Sequence, residues 1–430
     1  MAMELSSLTP WSFDIDMFNE LLKEHICSNC TKPCDIDDIY SQLHRCRTSG
    51  LEPFAENVLD LFSEIRAMEN LHFSVRRKIV FAHKNFEFVR DVISEIQNYS
   101  KQRFAVITGL MLQDELHLGH KCVIDQLKWY QEKGADIFIA LSDVESWVKN
   151  KRKMSVVIKD AMENHLLSYF ALGIKPIPRR CQIYSQWARR EIFCTALTIS
   201  GAIGYSEWRE KWRTAGGNIT PGKMFFPFVV AADILHAQLE KFGGKRPTVV
   251  PVGIDQYEYL NMATSLIERY NILFPPDDRY YPPSVTYHRL LVGTDMKPMD
   301  TESGNAIFLS DSPDVVSKKL MVAVTGGRRN LEEQKRLGGD PRRCAPYEMY
   351  KFNHPEDRAV KRIFVDCVTG GTSCHDCKNR IIDYFKELVK DFQQKRKKFE
   401  DSEEILKFML TQDILRENES ITEITDIQGV

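Results

Sequence analysis

The chain has 430 residues, 43% of them hydrophobic and 27% charged, with a formal net charge of −2. That balance excludes a protein that coats nucleic acid by bulk charge, and no apolar run reaches the ~20 residues of a membrane span. Its start, MAMELSSLTPWSFD, lacks the basic-then-apolar order of a secretory signal, so the expected location is the cytoplasm.

Taken in chain order, residues 1–100 read as a mostly helical N-terminal extension carrying the cysteine cluster CSNCTKPC. Cys27, Cys30, Cys34 and Cys46 could hold a further metal ion, most often zinc, or stay free thiols. From residue 101 to 310, β-like runs (FAVIT, DIFIALS, TVVPVG) alternate with helical periodicity. This is the α/β pattern of a parallel sheet covered by helices. Residues 311–430 read as predominantly helical and charged, apart from the glycine turns TGGRRN, LGGD and VTGGTS.

At the strand-to-helix turn after FAVITGLML stands LQDELHLGHKC. Ligands of open α/β sheets bind beyond the carboxyl ends of strands, where helix N-termini attract phosphate. Two imidazoles there could stabilise charge on an α-phosphate, with Gly119 permitting close backbone approach. A histidine can equally serve only as a helix cap, and a four-residue motif occurs by chance.

Context adds a resemblance. HLGH is similar to the HIGH signature of class I aminoacyl-tRNA synthetases, and ITGLMLQDELHLGH followed by ADIFIALSDVESW resembles the tryptophanyl and tyrosyl branch. TPW, RRKIVFAHKNFEF, KMFFPFVVAAD, VPVGIDQYEY, IFLSDSPDVV and TGGRRNLEEQKRLGGDPRRC stand in the order of the tryptophanyl family of archaeal and eukaryotic type. The resemblance implies a Rossmann-like catalytic domain and a helical C-terminal domain that reads tRNA. It implies an enzyme that activates tryptophan with ATP and Mg²⁺, transfers it to tRNA, and works as a homodimer.

The same resemblance assigns His117, Gly119, His120 and Lys297 to catalysis, and Thr108, Gly109, Asp143, Glu145, Asp255 and Gln256 to substrate binding. Asp143 and Glu145 are read as two apart at a strand end, hence on one face. Asp255 is placed toward ribose and Gln256 toward the amino acid. Lys153–Met154–Ser155 imitates the lysine signature but falls too soon after HLGH. The matching position is TDMKPMDTESG, where Lys297 survives and Pro298, Asp300 and Glu302 replace expected residues.

Two further departures concern specificity. The loop Leu110–Gln113 lacks the family's Gly-Pro-Ser pattern, and Ile107 and Ala140 stand where the branch uses Tyr and Gln to read the indole N–H. Other groups must replace them, or the amino acid or acceptor differs; a catalytically weak RNA- or protein-binding module is the reading from another class.

Cys344, Cys367, Cys374 and Cys377 form C-x22-C-x6-C-x2-C. The resemblance implies a [4Fe-4S] cluster there, as in a subset of the family, with tetrahedral zinc as the other occupant of four thiolates. The cluster would brace helices presenting basic residues such as Lys378 and Arg380 to the RNA.

Overall fold

The computed structural model describes residues 59–60, 71–97, 103–110, 115–150, 153, 156–157, 160–212, 219–400 and 402–410. The N-terminal cysteine cluster and the loop 111–114 lie outside these residues.

Seven strands form one sheet in the order β1-β2-β7-β6-β3-β4-β5: β1 Leu59–Asp60, β2 Val80–Lys84, β3 Ala105–Leu110, β4 Asp136–Leu141, β5 Cys181–Ser185, β6 Thr248–Gly253 and β7 Ser284–His288. From β7 to β5 every pairing is parallel, whereas β2 adds to β7 and β1 to β2 antiparallel. β4 reads DIFIAL and is buried at every position, the unbroken apolar run expected of a strand covered on both faces.

Within the N-terminal segment the described residues hold two helices and also a strand, β2, that sequence reasoning did not single out. VFAHK, within RRKIVFAHKNFEF, joins the sheet because its apolar and β-branched residues are buried against β7. Its partner β7, SVTYH, follows directly on the segment YYPP and is buried at every position.

Fifteen α-helices pack around the sheet or extend from it among the described residues. In chain order they are α1 Phe73–Arg76, α2 Glu87–Gln97, α3 Leu118–Glu132, α4 Asp143–Asn150, α5 Leu167–Ala171, α6 Arg190–Ser200, α7 Tyr205–Trp212 and α8 Pro221–His236. There follow α9 Tyr257–Ile272, α10 Pro313–Val322, α11 Leu331–Leu337, α12 Ala345–Asn353, α13 Asp357–Val368, α14 Cys374–Glu400 and α15 Glu403–Leu410. None is long and apolar enough to cross a membrane.

One hydrophobic cluster fills the face covered by α3 and runs on into the C-terminal helices, from Ile137 and Ile183 to Phe385 and Val389. The other lies between the opposite face and α6, α8 and α9. Arg77 fastens the N-terminal segment to the C-terminal helices: buried itself, it pairs with Asp357 at 2.7 Å and donates to the Lys351 and His354 carbonyls. Asp136, buried at the start of β4, takes Arg180 at 2.8 Å and Arg246 at 2.5 Å, tying β4 to the segments that lead into β5 and β6.

Candidate active site

β3 and β6 are joined only at Ala105–Thr248 and Val106–Val249. Beyond those pairs the strands part, opening a crevice at their carboxyl ends where chain order reverses, the position at which α/β sheets take ligands. α3 follows β3 in the chain and the 3-10 turn Ile254–Gln256 follows β6 directly, so the N-terminus of the one and the turn of the other belong to the two strands that flank it.

His117 is the N-cap of α3. Its Nδ1 accepts the Gly119 N–H at 3.0 Å, and His120 Nδ1 accepts the His117 N–H at 3.3 Å. The rings stack with centroids 3.8 Å apart. Capping and chemistry are therefore compatible: each Nδ1 is spent as an acceptor, which places the proton on Nε2 and makes it a donor. Burial lowers the His117 pKa to about 4 and, with the neighbouring imidazoles, holds His120 well below the ordinary value. Both rings are neutral donors at neutral pH. Gly119 has a more specific reason than ligand approach, since a Cβ there would lie 2.8 Å from His117 Cε1 and displace the capping ring.

Across the crevice, Asp255 and Gln256 stand in a 3-10 turn after β6. Gln256 Nε2 donates to Asp255 Oδ2 at 2.8 Å, which commits its N–H and leaves its oxygen as an acceptor. Thr108 is buried at the end of β3. At Gly109 a Cβ would come within 2.8 Å of Ser142 Oγ, so a larger residue there would have to turn that hydroxyl aside.

With this arrangement established, the relatives are informative. Residues 99–390 match the family model described as tRNA synthetases class I (W and Y). The tryptophan–tRNA ligase of Aeropyrum pernix is 33% identical over 355 residues, covering 82% of this chain and 91% of that protein. The chain belongs to the class I tRNA synthetases of the W and Y type. The Methanocaldococcus jannaschii tryptophan–tRNA ligase is 32% identical over 351 residues, covering 81% and 90%. The crystal structure of the Aeropyrum pernix tryptophanyl-tRNA synthetase superposes with TM-score 0.72, covering 82% of this chain and 93% of that one. An Entamoeba histolytica tryptophanyl-tRNA synthetase homolog, 18% identical, shares the fold with TM-score 0.72 over 89% and 97%.

Within this synthetase scaffold one sequence expectation is corrected. Asp143 and Glu145 do not share a strand face, because β4 ends at Leu141 and both fall in the first turn of α4. Asp143 is buried, receives Ser185 Oγ, and accepts the Val144 and Gln186 N–H groups at 2.8 and 3.1 Å, so its carboxylate is occupied in holding the end of β5. Burial raises its pKa to about 7. Glu145 is half-buried, and its charge acts on the Tyr259 hydroxyl of α9.

The residues that sequence reasoning missed surround Asp233. On the sheet face that carries Ile107 and Ala140, the register sets Gly109, Ala140 and Tyr184 side by side. Tyr184 OH donates to Asp233 Oδ1 at 3.0 Å and Gln186 Nε2 donates to Oδ2. Arg189 lies over the Tyr184 ring at 4.3 Å. Burial lifts the Asp233 pKa to about 7. The signal was present in KMFFPFVVAAD, where an apolar helix buries a single carboxylate. Such a group needs partners, and β5 supplies them.

Lys297 is exposed in a turn in which Gly293 N–H bonds to the Lys297 carbonyl at 2.7 Å and Met296 is left-handed, φ 67°. Asn305, buried, secures this loop by donating to Asp295 and the Pro298 carbonyl and accepting the Asp300 N–H. Asp300 caps the next turn through the N–H groups of Glu302 and Ser303 and opposes the lowering of His117. A carboxylate thus acts electrostatically on the motif histidine where the resemblance leads one to expect another residue.

Cys344, Cys367, Cys374 and Cys377 line a single cavity. The glycine turns make room for them: a Cβ at Gly327 would overlap Cys374 Sγ, and one at Gly339 would come within 2.8 Å of Cys367 Sγ. Burial, then the neighbouring thiols, pushes Cys367 up to about 12, and burial does the same for Cys377. As the side chains stand, no group of three or more His, Cys, Asp or Glu among the described residues is gathered closely enough to hold a metal ion. Lys378 is corrected: its ammonium is spent on the Met321 and Ala323 carbonyls at the end of α10. Arg380 pairs with Asp366 at 2.9 Å and remains exposed.

Proposed function

We infer that the protein is a tryptophan–tRNA ligase, activating tryptophan with ATP and transferring it to tRNA. The observation that carries this reading is the pair of neutral Nε2 donors at the N-terminus of α3, set across the β3–β6 crevice from the Asp255–Gln256 turn, in a chain of this family. A tryptophan carboxylate oxygen attacks the α-phosphorus, the bond to the β-phosphate breaks, and pyrophosphate leaves. The 3′-terminal hydroxyl of tRNA then attacks the carbonyl and AMP departs. Mg²⁺ accompanies ATP and neutralises its phosphates. His117 and His120 donate to oxygen as charge develops. Exposed Lys297 reaches the leaving pyrophosphate, Gln256 Oε1 and Glu145 receive the substrate ammonium, and Asp255 receives the ribose.

Ile107 and Ala140 leave the indole N–H without the expected partners. Asp233 supplies a buried acceptor on that same sheet face, so Asp233→Ala should raise the tryptophan KM far more than the ATP KM. A divergent amino acid or acceptor is the second reading, favoured by Asp300 and Glu302 beside the nucleotide, and amino-acid-dependent ATP–pyrophosphate exchange decides between them.

We propose three further properties. Residues 101–310 form the catalytic domain and 311–430 the tRNA-binding domain. The protein is a cytoplasmic homodimer, which light scattering tests through its mass. The four C-terminal cysteines hold a [4Fe-4S] cluster or zinc: four thiols on one cavity match both in donor type, and a bound cation would reverse the elevated pKa values by favouring thiolates. Iron, sulfide and zinc analysis of anaerobically prepared protein distinguishes them, and metal-free protein with four alkylatable thiols rejects both.

A further inference from the structure

The cysteine cavity of the C-terminal helices has one wall that the thiols do not explain. Two glycine turns close over it: Gly339 N–H donates to the Cys367 carbonyl and Asp340 N–H to the Gly326 carbonyl, both at 2.8 Å. Between these turns stands α11, whose Gln334 lines the cavity together with Cys344, Cys367, Cys374 and Cys377. Asn330 caps α11 by accepting the Glu333 N–H at 2.8 Å, and the Gln334 N–H bonds to the Asn330 carbonyl at 3.0 Å. The capped turn therefore fixes where the Gln334 side chain starts.

Gln334 is only 4% exposed. Its Oε1 accepts the Arg328 N–H at 3.0 Å, which settles the orientation of the amide. Its Nε2 is buried and has no hydrogen-bond partner among the described residues. A Cβ built on Gly339 would lie 2.8 Å from Cys367 Sγ and 2.9 Å from Gln334 Nε2, so the sulfur and the nitrogen both stand within 3 Å of one point. Packing alone would put an apolar side chain here, since a buried N–H without an acceptor is unfavourable. A thiol is a weak acceptor. A metal-bound thiolate is a stronger one, because the charge on sulfur assists the hydrogen bond. The orphaned donor and the glycine cradle thus fit a cavity built for charged sulfur.

We propose that Gln334 Nε2–H donates to the Cys367 sulfur once the four thiolates hold their metal centre, and that it stabilises the negative charge gathered there. This rests on the reading above that these cysteines hold an iron–sulfur cluster or zinc. The test compares full-length, anaerobically prepared wild type with Gln334→Met, which keeps the side-chain length and removes the donor. Where analysis finds iron and sulfide, an optical redox titration reads the midpoint potential, which hydrogen bonds to sulfur help to set. Gln334→Met should lower it by ~59 mV, a tenfold change in the oxidised-to-reduced ratio of a one-electron couple. Where analysis finds zinc, Co²⁺ replaces it. The thiolate-to-cobalt charge-transfer band should then shift in Gln334→Met, and Co²⁺ affinity against a competing chelator should fall about tenfold. An unmoved midpoint, or an unmoved band with equal affinity, in folded and loaded variant overturns the proposal alone. If Gln334→Met does not fold or load, pulsed EPR of ¹⁵N-glutamine-labelled wild type decides, with the reduced cluster or Co²⁺ as the spin. A ¹⁵N coupling missing from unlabelled protein supports the donor, and its absence overturns it. Wild type that binds no metal overturns the metal-site reading, and the proposal with it.

Discussion

At the scale of single residues, the histidine pair shows how one hydrogen-bond pattern serves folding and chemistry together. Acceptance at Nδ1 caps α3 and fixes the proton on Nε2. His120→Ala should reduce exchange at least ~10²-fold if that donor stabilises developing charge, while leaving the His117–Gly119 cap in place. The pH dependence follows from burial. With His117 titrating near 4 and His120 held well below its ordinary value, protonation of these rings should not reduce exchange near pH 6.5. The loss attributable to His117 begins only below about pH 5, and a pH–rate profile of His117→Asn against wild type checks this. HLGH was legible because glycine and two histidines at a strand-to-helix turn constrain each other locally. Asp233 was not, because its partners Tyr184 and Gln186 lie 49 and 47 residues away in sequence.

At the scale of elements, the alternation of strands and helices from β3 to β6 was legible in composition, and the crevice follows from strand order. Two misreadings have local causes. Asp143 and Glu145 were read at a strand end because the apolar run IFIAL carries no break before Ser142; the strand stops at Leu141, and helical geometry sends the two carboxylates in different directions. β2 was read into a helical segment because a strand of only five residues offers little periodicity beside the α2 pattern. The buried ion pair at the start of β4 supplies a stability test. Asp136→Ala leaves Arg246 buried without its counter-charge and should cost about 3–5 kcal/mol, measured by denaturant unfolding. Arg180 loses the same partner but is a third exposed, so the exposed contact adds little.

Across the whole molecule, the sheet, the N-terminal segment and the C-terminal helices share one core and the Arg77–Asp357 clamp, which no local pattern in the sequence announces. The buried groups also set its pH response. His72, His117, His236 and His288 have folded values of about 3, 4, 2 and 4 against 6.5, so the unfolded chain binds more protons and stability is lost as pH falls below 6.5. Asp143 and Asp233, raised to about 7, act oppositely: the folded state holds their protons and stability is lost as pH rises from 4 to 7. Four histidines outweigh two carboxylates, so Tm should climb between pH 4.5 and 6 and flatten or fall toward pH 8. A Tm that decreases from pH 4.5 to 6 would contradict the burial assignments. The claim on which the account depends most is amino acid activation, and ATP–pyrophosphate exchange with each of the twenty amino acids tests it most directly. The account predicts exchange that depends on tryptophan and falls at least ~10²-fold in His120→Ala; exchange with no amino acid, or equal exchange in that variant, would contradict it.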